Sequence, residues 1–199
     1  MTQLAKPGLT LIEPRQSRRR VLKSGVLAAG AWFFLPRLAR AHKRDARAHE
    51  RTLALYNCHT GESLKRVYWF RGQYLSEALT DINHILRDHR ANETRSIDLH
   101  LLDLLCTIQR KLAPHQAFHV ISAYRTPATN AMLRRHSKGV AKHSLHMQGK
   151  AIDIRLPGYA SATVRRVALA LRRGGVGYYP RAGYVHVDTG QVRSWRSPS

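Results

Sequence analysis

Two stretches, Ser144-Leu145-His146-Met147-Gln148-Gly149-Lys150-Ala151-Ile152-Asp153 and Tyr184-Val185-His186-Val187-Asp188, hold two imidazoles and a carboxylate in settings that suit one divalent cation. Two nitrogens and one oxygen at about 2.0–2.2 Å, with water in the fourth position, are the donor set of a catalytic zinc; a structural zinc closes its shell with four protein ligands. Strand parity is what would bring the three together. From Gly149 to Leu156, Ile152, Ile154 and Leu156 point one way while Ala151, Asp153 and Arg155 point the other. From Gly183 to Asp188, Val185 and Val187 oppose Tyr184, His186 and Asp188. If the two strands pair over a shared apolar face, Asp153 and His186 stand side by side. Gly149, free to take positive φ, can turn the chain so that His146 folds back over them. Any one of the twelve histidines is more often solvated or hydrogen-bonded than a ligand. The agreement of spacing, glycine and parity sets His146, Asp153 and His186 apart as the expected ligands of a single Zn2+ ion.

These residues also carry a family resemblance. The pattern Ser-x-His-x-x-Gly-x-Ala-x-Asp, followed by a strand histidine, resembles the zinc-binding signature of the D-Ala-D-Ala carboxypeptidase and murein endopeptidase family. That family shares its metal site with the lysostaphin-type peptidases and the hedgehog signalling domain. Ser122-Ala123-Tyr124-Arg125-Thr126 is similar to the family's Ser-Gly-Tyr-Arg-Ser, and Gly174 to Tyr179 extends the likeness. The resemblance covers most of the chain after about residue 50. It implies a zinc peptidase that hydrolyses amide bonds in peptidoglycan stem peptides. The match is nearest to the exported endopeptidase branch, which implies action on cross-links. Arg125 is the expected substrate-binding residue, because a guanidinium fork matches a carboxylate bidentately, and the resemblance gives it a similar role.

The chain departs from these relatives at the general base. They often carry Glu or Asp three residues before the last histidine ligand, or His two before it; here those positions are Gly183 and Tyr184. Asp188, about 6.5–7 Å along the strand from His186, is the nearest acid, as base or as a partner that orients the imidazole. His143 is the second catalytic candidate, with a substrate contact or an outer hydrogen bond as its other readings. The missing acid favours an alternative, a non-catalytic zinc-containing module that binds peptidoglycan, as the hedgehog-type domain shows is possible.

Delivery is written at the N-terminus. Ser17-Arg18-Arg19-Arg20-Val21-Leu22-Lys23 resembles a twin-arginine export signal, followed by an apolar run from Gly25 to Leu35 and a small-x-small site, Ala39-Arg40-Ala41. The run is shorter than the roughly 20 residues a membrane span needs. The expected organisation is a signal peptide over 1–41, a flexible lead-in over 42–50 and the zinc peptidase domain over 51–199. The implied partners are the twin-arginine export machinery and peptidoglycan, the location is the bacterial periplasm, and no stable membrane span remains after cleavage.

The formal charge is +22, and the segment to Ala41 holds only eight of the 34 Lys and Arg residues, so the exported part stays strongly basic. Such a balance raises the possibility of a polyanion binder. The basic residues are scattered in pairs on helical stretches, however, with no aromatic-basic ribbon and no nucleic-acid motif. The excess reads as general attraction to an anionic wall, with no nucleic-acid partner. Two cysteines, Cys58 and Cys106, are too few for a zinc cluster; one disulfide and two separate small side chains both remain open.

The elements that must position the site follow from periodicity. A hairpin is expected from Thr52–Tyr56 and Lys65–Phe70, a helix capped by Ser76 and running to about Arg90, and a core helix over Ile97–Leu112. Ala117–Ser122 reads as the strand that delivers Tyr124-Arg125. A short helix from Pro127 to about His136 leads to a loop, Ser137–Val140, at the cleft edge. A last helix, Ala160–Arg173, ends at Gly174-Gly175, with flanking strands at Val176–Tyr179 and Gln191–Trp195. The fold class is α+β: a central, mainly antiparallel sheet carrying the zinc site and flanked by helices.

Overall fold

The first apolar alternation forms an antiparallel hairpin in the computed structural model, which describes residues 49–112, 116–137 and 139–197. Strand β1 (Glu50–Asn57) pairs with β2 (Ser63–Phe70) through a turn containing Gly61 at φ +74°. The two-residue β3 (Gln73–Tyr74) closes that edge. The expected signal segment and the lead-in up to residue 48 lie outside the described residues, all of which fall in the second of two units, 1–46 and 47–199.

Five more strands complete one sheet: β4 (Phe118–Ser122), β5 (Ala151–Arg155), β6 (Gly175–Tyr179), β7 (Tyr184–Asp188) and β8 (Arg193–Arg196). Their order is β3-β2-β1-β4-β5-β7-β6-β8. β1 with β4 and β6 with β8 are parallel and the other neighbours antiparallel. The sheet is therefore mixed but mainly antiparallel, as expected, with five of its seven pairings antiparallel.

Among the described residues there are four α-helices: α1 (Ser76–Ile85), α2 (Leu99–Leu112), α3 (Pro127–His136) and α4 (Ser161–Leu171). α2 is the core helix, with Leu101, Leu102, Leu105 and Ile108 fully buried against Leu53 and Leu55 of β1. Complete burial of each such side chain stabilises the fold by roughly 1.5–3 kcal/mol. α4 buries Val164 and Ala168 and packs on β6 and β7. Two expectations need correction. Ser76 is the first helical residue and not a cap; Leu75 occupies the N-cap position without a side-chain bond. α1 also stops at Ile85 and not near Arg90, because the next residues form a bracket closed by a bridge between Asp88 and Glu93. Cys58 is exposed, Cys106 is buried on α2, and both are free thiols.

The core-facing rows of β4, β5 and β7, namely Val120, Ile154, Ile152, Val185 and Val187, are all buried. Parity then sends Asp153 and His186 to the opposite face. A 3-10 turn, Leu145–Gln148, precedes β5 and ends at Gly149 with φ +67°. A Cβ on Gly149 would lie 2.5 Å from the Ser96 carbonyl oxygen, so both conformation and space require glycine here. Gly149→Ala is expected to destabilise the protein by about 2–3 kcal/mol, from left-handed strain plus the backbone clash, read as a lowered midpoint in urea unfolding.

Candidate metal centre and its pocket

β5 and β7 pair in the register Ala151↔Asp188, Ile152↔Val187, Asp153↔His186 and Ile154↔Val185. Asp153 and His186 are thus direct cross-strand partners on the face opposite the buried isoleucine and valine rows. The 3-10 turn lays His146 over them. His186 Nδ1 lies 2.9 Å from Asp153 Oδ1, His146 Nε2 lies 3.5 Å from Asp153 Oδ2, and the two ring nitrogens are 3.3 Å apart. Tetrahedral donors at ordinary zinc bond lengths of about 2.0–2.2 Å stand about 3.3–3.6 Å from each other. Small adjustments of the carboxylate would bring all three onto one ion. Among the described residues these three form the one group of His, Cys, Asp or Glu side chains with metal-site spacing.

The imidazoles are turned to present lone pairs. His146 donates Nδ1–H to the Ala123 carbonyl at 2.7 Å, leaving Nε2 as acceptor. His186 donates Nε2–H to Asp188 Oδ2 at 3.0 Å, leaving Nδ1 as acceptor. Two lone pairs and a carboxylate aimed at one point are mutually repulsive unless a cation lies among them, so the donor set fits a divalent metal.

The protonation tendencies differ between the two rings. Burial holds His146 below the ordinary imidazole range against the pull of Asp153. For His186, burial is outweighed by Asp153 and Asp188, which hold it above that range. Asp153 is also pushed up by burial, but the two imidazoles bring it well below the usual carboxylate range.

Asp188 is completely buried behind His186, outside the pocket. Its Oδ1 accepts from Gly175 N and Gly190 N at 2.9 and 2.8 Å, and Arg193 grips both oxygens at 3.1 and 2.7 Å. Burial would raise this carboxyl; the hydrogen bonds from His186 and Arg193 hold it well below the usual range. Every lone-pair direction of Asp188 is therefore engaged in holding the ring and the turn.

The donors open into a cleft of about 660 Å³. Arg125 enters from the end of β4, donating from Nε to Ser122 Oγ at 2.9 Å and from an Nη to Asp153 Oδ2 at 3.3 Å. His143 stands in the pocket wall, and the loop Ser137–Val140 contributes Ser137, Gly139 and Val140 to the rim, as its place in the sequence suggests.

The far wall was not legible as part of a site. Trp195 of β8 lies against His186 with ring centroids 5.1 Å apart, donates from Nε1 to Tyr179 Oη at 3.2 Å, and carries the Arg193 guanidinium over its face. Tyr179 and Tyr184 stack at 4.5 Å. Gly177, the β6 neighbour of His186, leaves room for the indole: a Cβ there would come within 2.5 Å of the Trp195 ring. The i, i+2 spacing of Arg193 and Trp195 marks a common strand face, but the register that places it beside His186 is a tertiary fact.

The model of the family described as Peptidoglycan L,D-endopeptidase MepK matches residues 45–195. The chain belongs to this family. It is 44% identical over 179 residues to the peptidoglycan L,D-endopeptidase MepK of Escherichia coli strain K12, covering 90% of this chain and 97% of that protein. The MepK protein of Shigella flexneri gives the same identity and coverage. The probable peptidoglycan L,D-endopeptidase MepK of Haemophilus influenzae is 38% identical over 182 residues, covering 91% of this chain and 96% of its own. No solved structure matches significantly. Membership of the MepK family agrees with the resemblance carried by the Ser144–Asp153 signature and with its endopeptidase branch.

Gly177→Ala is expected to push Trp195 off His186 and to cost about 1–3 kcal/mol of stability through overpacking. Urea unfolding, together with the change in tryptophan emission, measures both effects.

Proposed function

We propose that this chain is an exported, zinc-dependent murein endopeptidase that hydrolyses amide bonds in the stem peptides of cross-linked peptidoglycan. The observation that carries the reading is the convergence of His146 Nε2, Asp153 and His186 Nδ1 at the floor of an open cleft, with both ring tautomers fixed from outside. Membership of the MepK family supports the substrate. A zinc ion held by these three side chains would supply Lewis-acid polarisation of the scissile carbonyl and a lowered pKa for its water.

The protein's own groups divide the remaining work. The Arg125 fork, whose ionic partner in the pocket is Asp153, has N–H donors to spare for a substrate carboxylate. Tyr184 is kept protonated by burial and by Asp153, and so faces the cleft as a hydrogen-bond donor. Of the two acid–base candidates only His143 lines the cleft, and it is our choice for moving the proton. The placement of Asp188 supports its orienting role: it fixes the His186 tautomer and is itself fixed by Arg193.

The segment 1–41, with its Arg18-Arg19 pair and Ala39-Arg40-Ala41, would act as a twin-arginine signal that delivers a domain spanning 51–199 to the periplasm. No helix among the described residues is long and apolar enough to cross a membrane.

Each of His146→Ala, Asp153→Ala and His186→Ala is expected to reduce cleavage of purified sacculi to background and to remove the bound metal, as chelation does in the parent protein. Retained, chelator-sensitive turnover in one variant removes that residue from the ligand set. Asp188→Asn should leave the fold intact but weaken metal affinity about 10–100-fold, measured by competition with a chromophoric chelator.

A second reading draws on one feature of the cleft: apart from Asp153, no carboxylate among the described residues lines it. A zinc-loaded protein that binds sacculi without releasing muropeptides would identify a binding module in place of an enzyme.

A further inference from the structure

Asp88 is 1% exposed and lies outside the cleft that holds the candidate metal centre. It sits in the bracket after α1, and its carboxylate reaches 38 residues along the chain to the arginine loop. We propose that Asp88 is the positioning residue for Arg125; the proposal rests on the reading of Arg125 as the substrate-carboxylate group.

The hydrogen bonds make a two-sided clamp. Asp88 Oδ2 accepts from Thr126 N at 2.9 Å and from Thr126 Oγ1 at 3.0 Å. Tyr124 N donates to the Leu86 carbonyl at 3.1 Å. The residues on both sides of Arg125 are thereby tied to one bracket, while the Arg125 amide donates to the His146 carbonyl at 3.2 Å. Arg125 has no freedom to slide along its loop, and its Cα is registered directly against a metal ligand. The same Thr126 hydroxyl accepts from Thr129 N at 3.1 Å and so starts α3.

The bracket is stiff enough to serve as an anchor. Asp88 Oδ1 accepts from Arg90 N and Ala91 N at 3.0 and 3.4 Å. Asp88 and Glu93 exchange backbone hydrogen bonds at 2.9 and 3.3 Å. Next to Asp88, Arg87 holds Glu62 of the hairpin at 2.8 Å and Asn92 at 2.9 Å. Burial alone would raise the Asp88 carboxyl, but hydrogen bonds from Thr129, Thr126 and Arg90 keep it below the usual carboxylate range. It is therefore an anion at neutral pH and a strong acceptor for both Thr126 donors.

A guanidinium recognises a carboxylate only if the fork meets both oxygens, so a displaced Arg125 backbone should weaken substrate binding before it affects chemistry. A merely structural Asp88 would lower stability without that signature.

The test is a double-mutant cycle on cleavage of a purified cross-linked muropeptide by the metal-loaded protein. Asp88→Ala is expected to raise KM about tenfold with kcat within about threefold of the parent, and with metal content unchanged. In the Arg125→Ala background the same substitution should add nothing, because the group it positions is gone. Thr126→Val, which removes only the hydroxyl, should move KM in the same direction, and Thr126→Ser should restore it. Asp88→Asn carries the same cycle if Asp88→Ala does not accumulate as folded protein. An Asp88 effect of equal size with and without Arg125, or a lower melting temperature at unchanged KM, overturns the proposal. Arg125→Ala with undiminished cleavage instead overturns the reading of Arg125 on which it rests, a distinguishable result.

Discussion

The pairing of β5 with β7 sets Asp153 directly opposite His186, and the rest of the site is arranged around that register. A slip of one residue would exchange faces, turning Ile152 or Ile154 into the cleft and Asp153 into the core. The buried apolar rows of both strands make such a slip very costly. Val185 and Val187 face Ile154 and Ile152 across the ladder, and all four are fully buried beneath the helices. The hydrophobic core thus holds a polar constellation in place from behind. The strength of that hold comes from apolar area, while its geometry comes from the two-residue repeat of a strand.

A constellation of buried polar groups is unstable by itself, since each donor or acceptor left unpaired costs about 1–3 kcal/mol. Here each atom that does not face the cleft has a partner. The Ala123 carbonyl takes the spare His146 proton, and Asp188 takes that of His186. Two backbone amides and Arg193 saturate Asp188 in turn. The unsatisfied capacity is concentrated at one point, between the two ring nitrogens and Asp153. Close approach makes this possible. Gly149 lets the turn lie on the Ser96 carbonyl, and Gly177 leaves room for the Trp195 indole beside the His186 ring.

Much of this is legible in the sequence because it is local or depends on parity. The hairpin, the core helix, the span of α3 and the facing of Asp153 and His186 follow from periods of two and 3.6 residues, which each stretch displays without reference to any other. The limits appear where a residue's role is decided by a distant partner. Asp188 looks like a candidate base because it shares a face with His186; only the packing of β8 against β6 brings Arg193 round to bind it. Trp195 reads as a flanking-strand residue until the parallel register with Gly177 lays it against His186. The helical pattern toward Arg90 fails for the same kind of reason. Past Leu86 the chain's polar groups are committed to Thr126 and Tyr124, far along the sequence, and that commitment overrides local helix propensity.

The strand order also gives the cleft a direction. Arg125 follows β4, Asp153 and His186 stand on β5 and β7, and Trp195 stands on β8, which places them in that sequence across the sheet. With strands about 4.8 Å apart, the four steps from β4 to β8 set their backbones on the order of 19 Å apart, but the Trp195 side chain reaches back over Gly177 to within 5.1 Å of the His186 ring. One flank is a desolvated guanidinium. The other holds Trp195, whose indole donates to Tyr179 Oη. Guanidinium groups thus stand on both sides of the lone-pair donors, Arg125 beside Asp153 and Arg193 over the Trp195 ring. The order of strands in the sheet therefore decides which side chains flank the donors, and the contact between Trp195 and His186 decides how closely they do so.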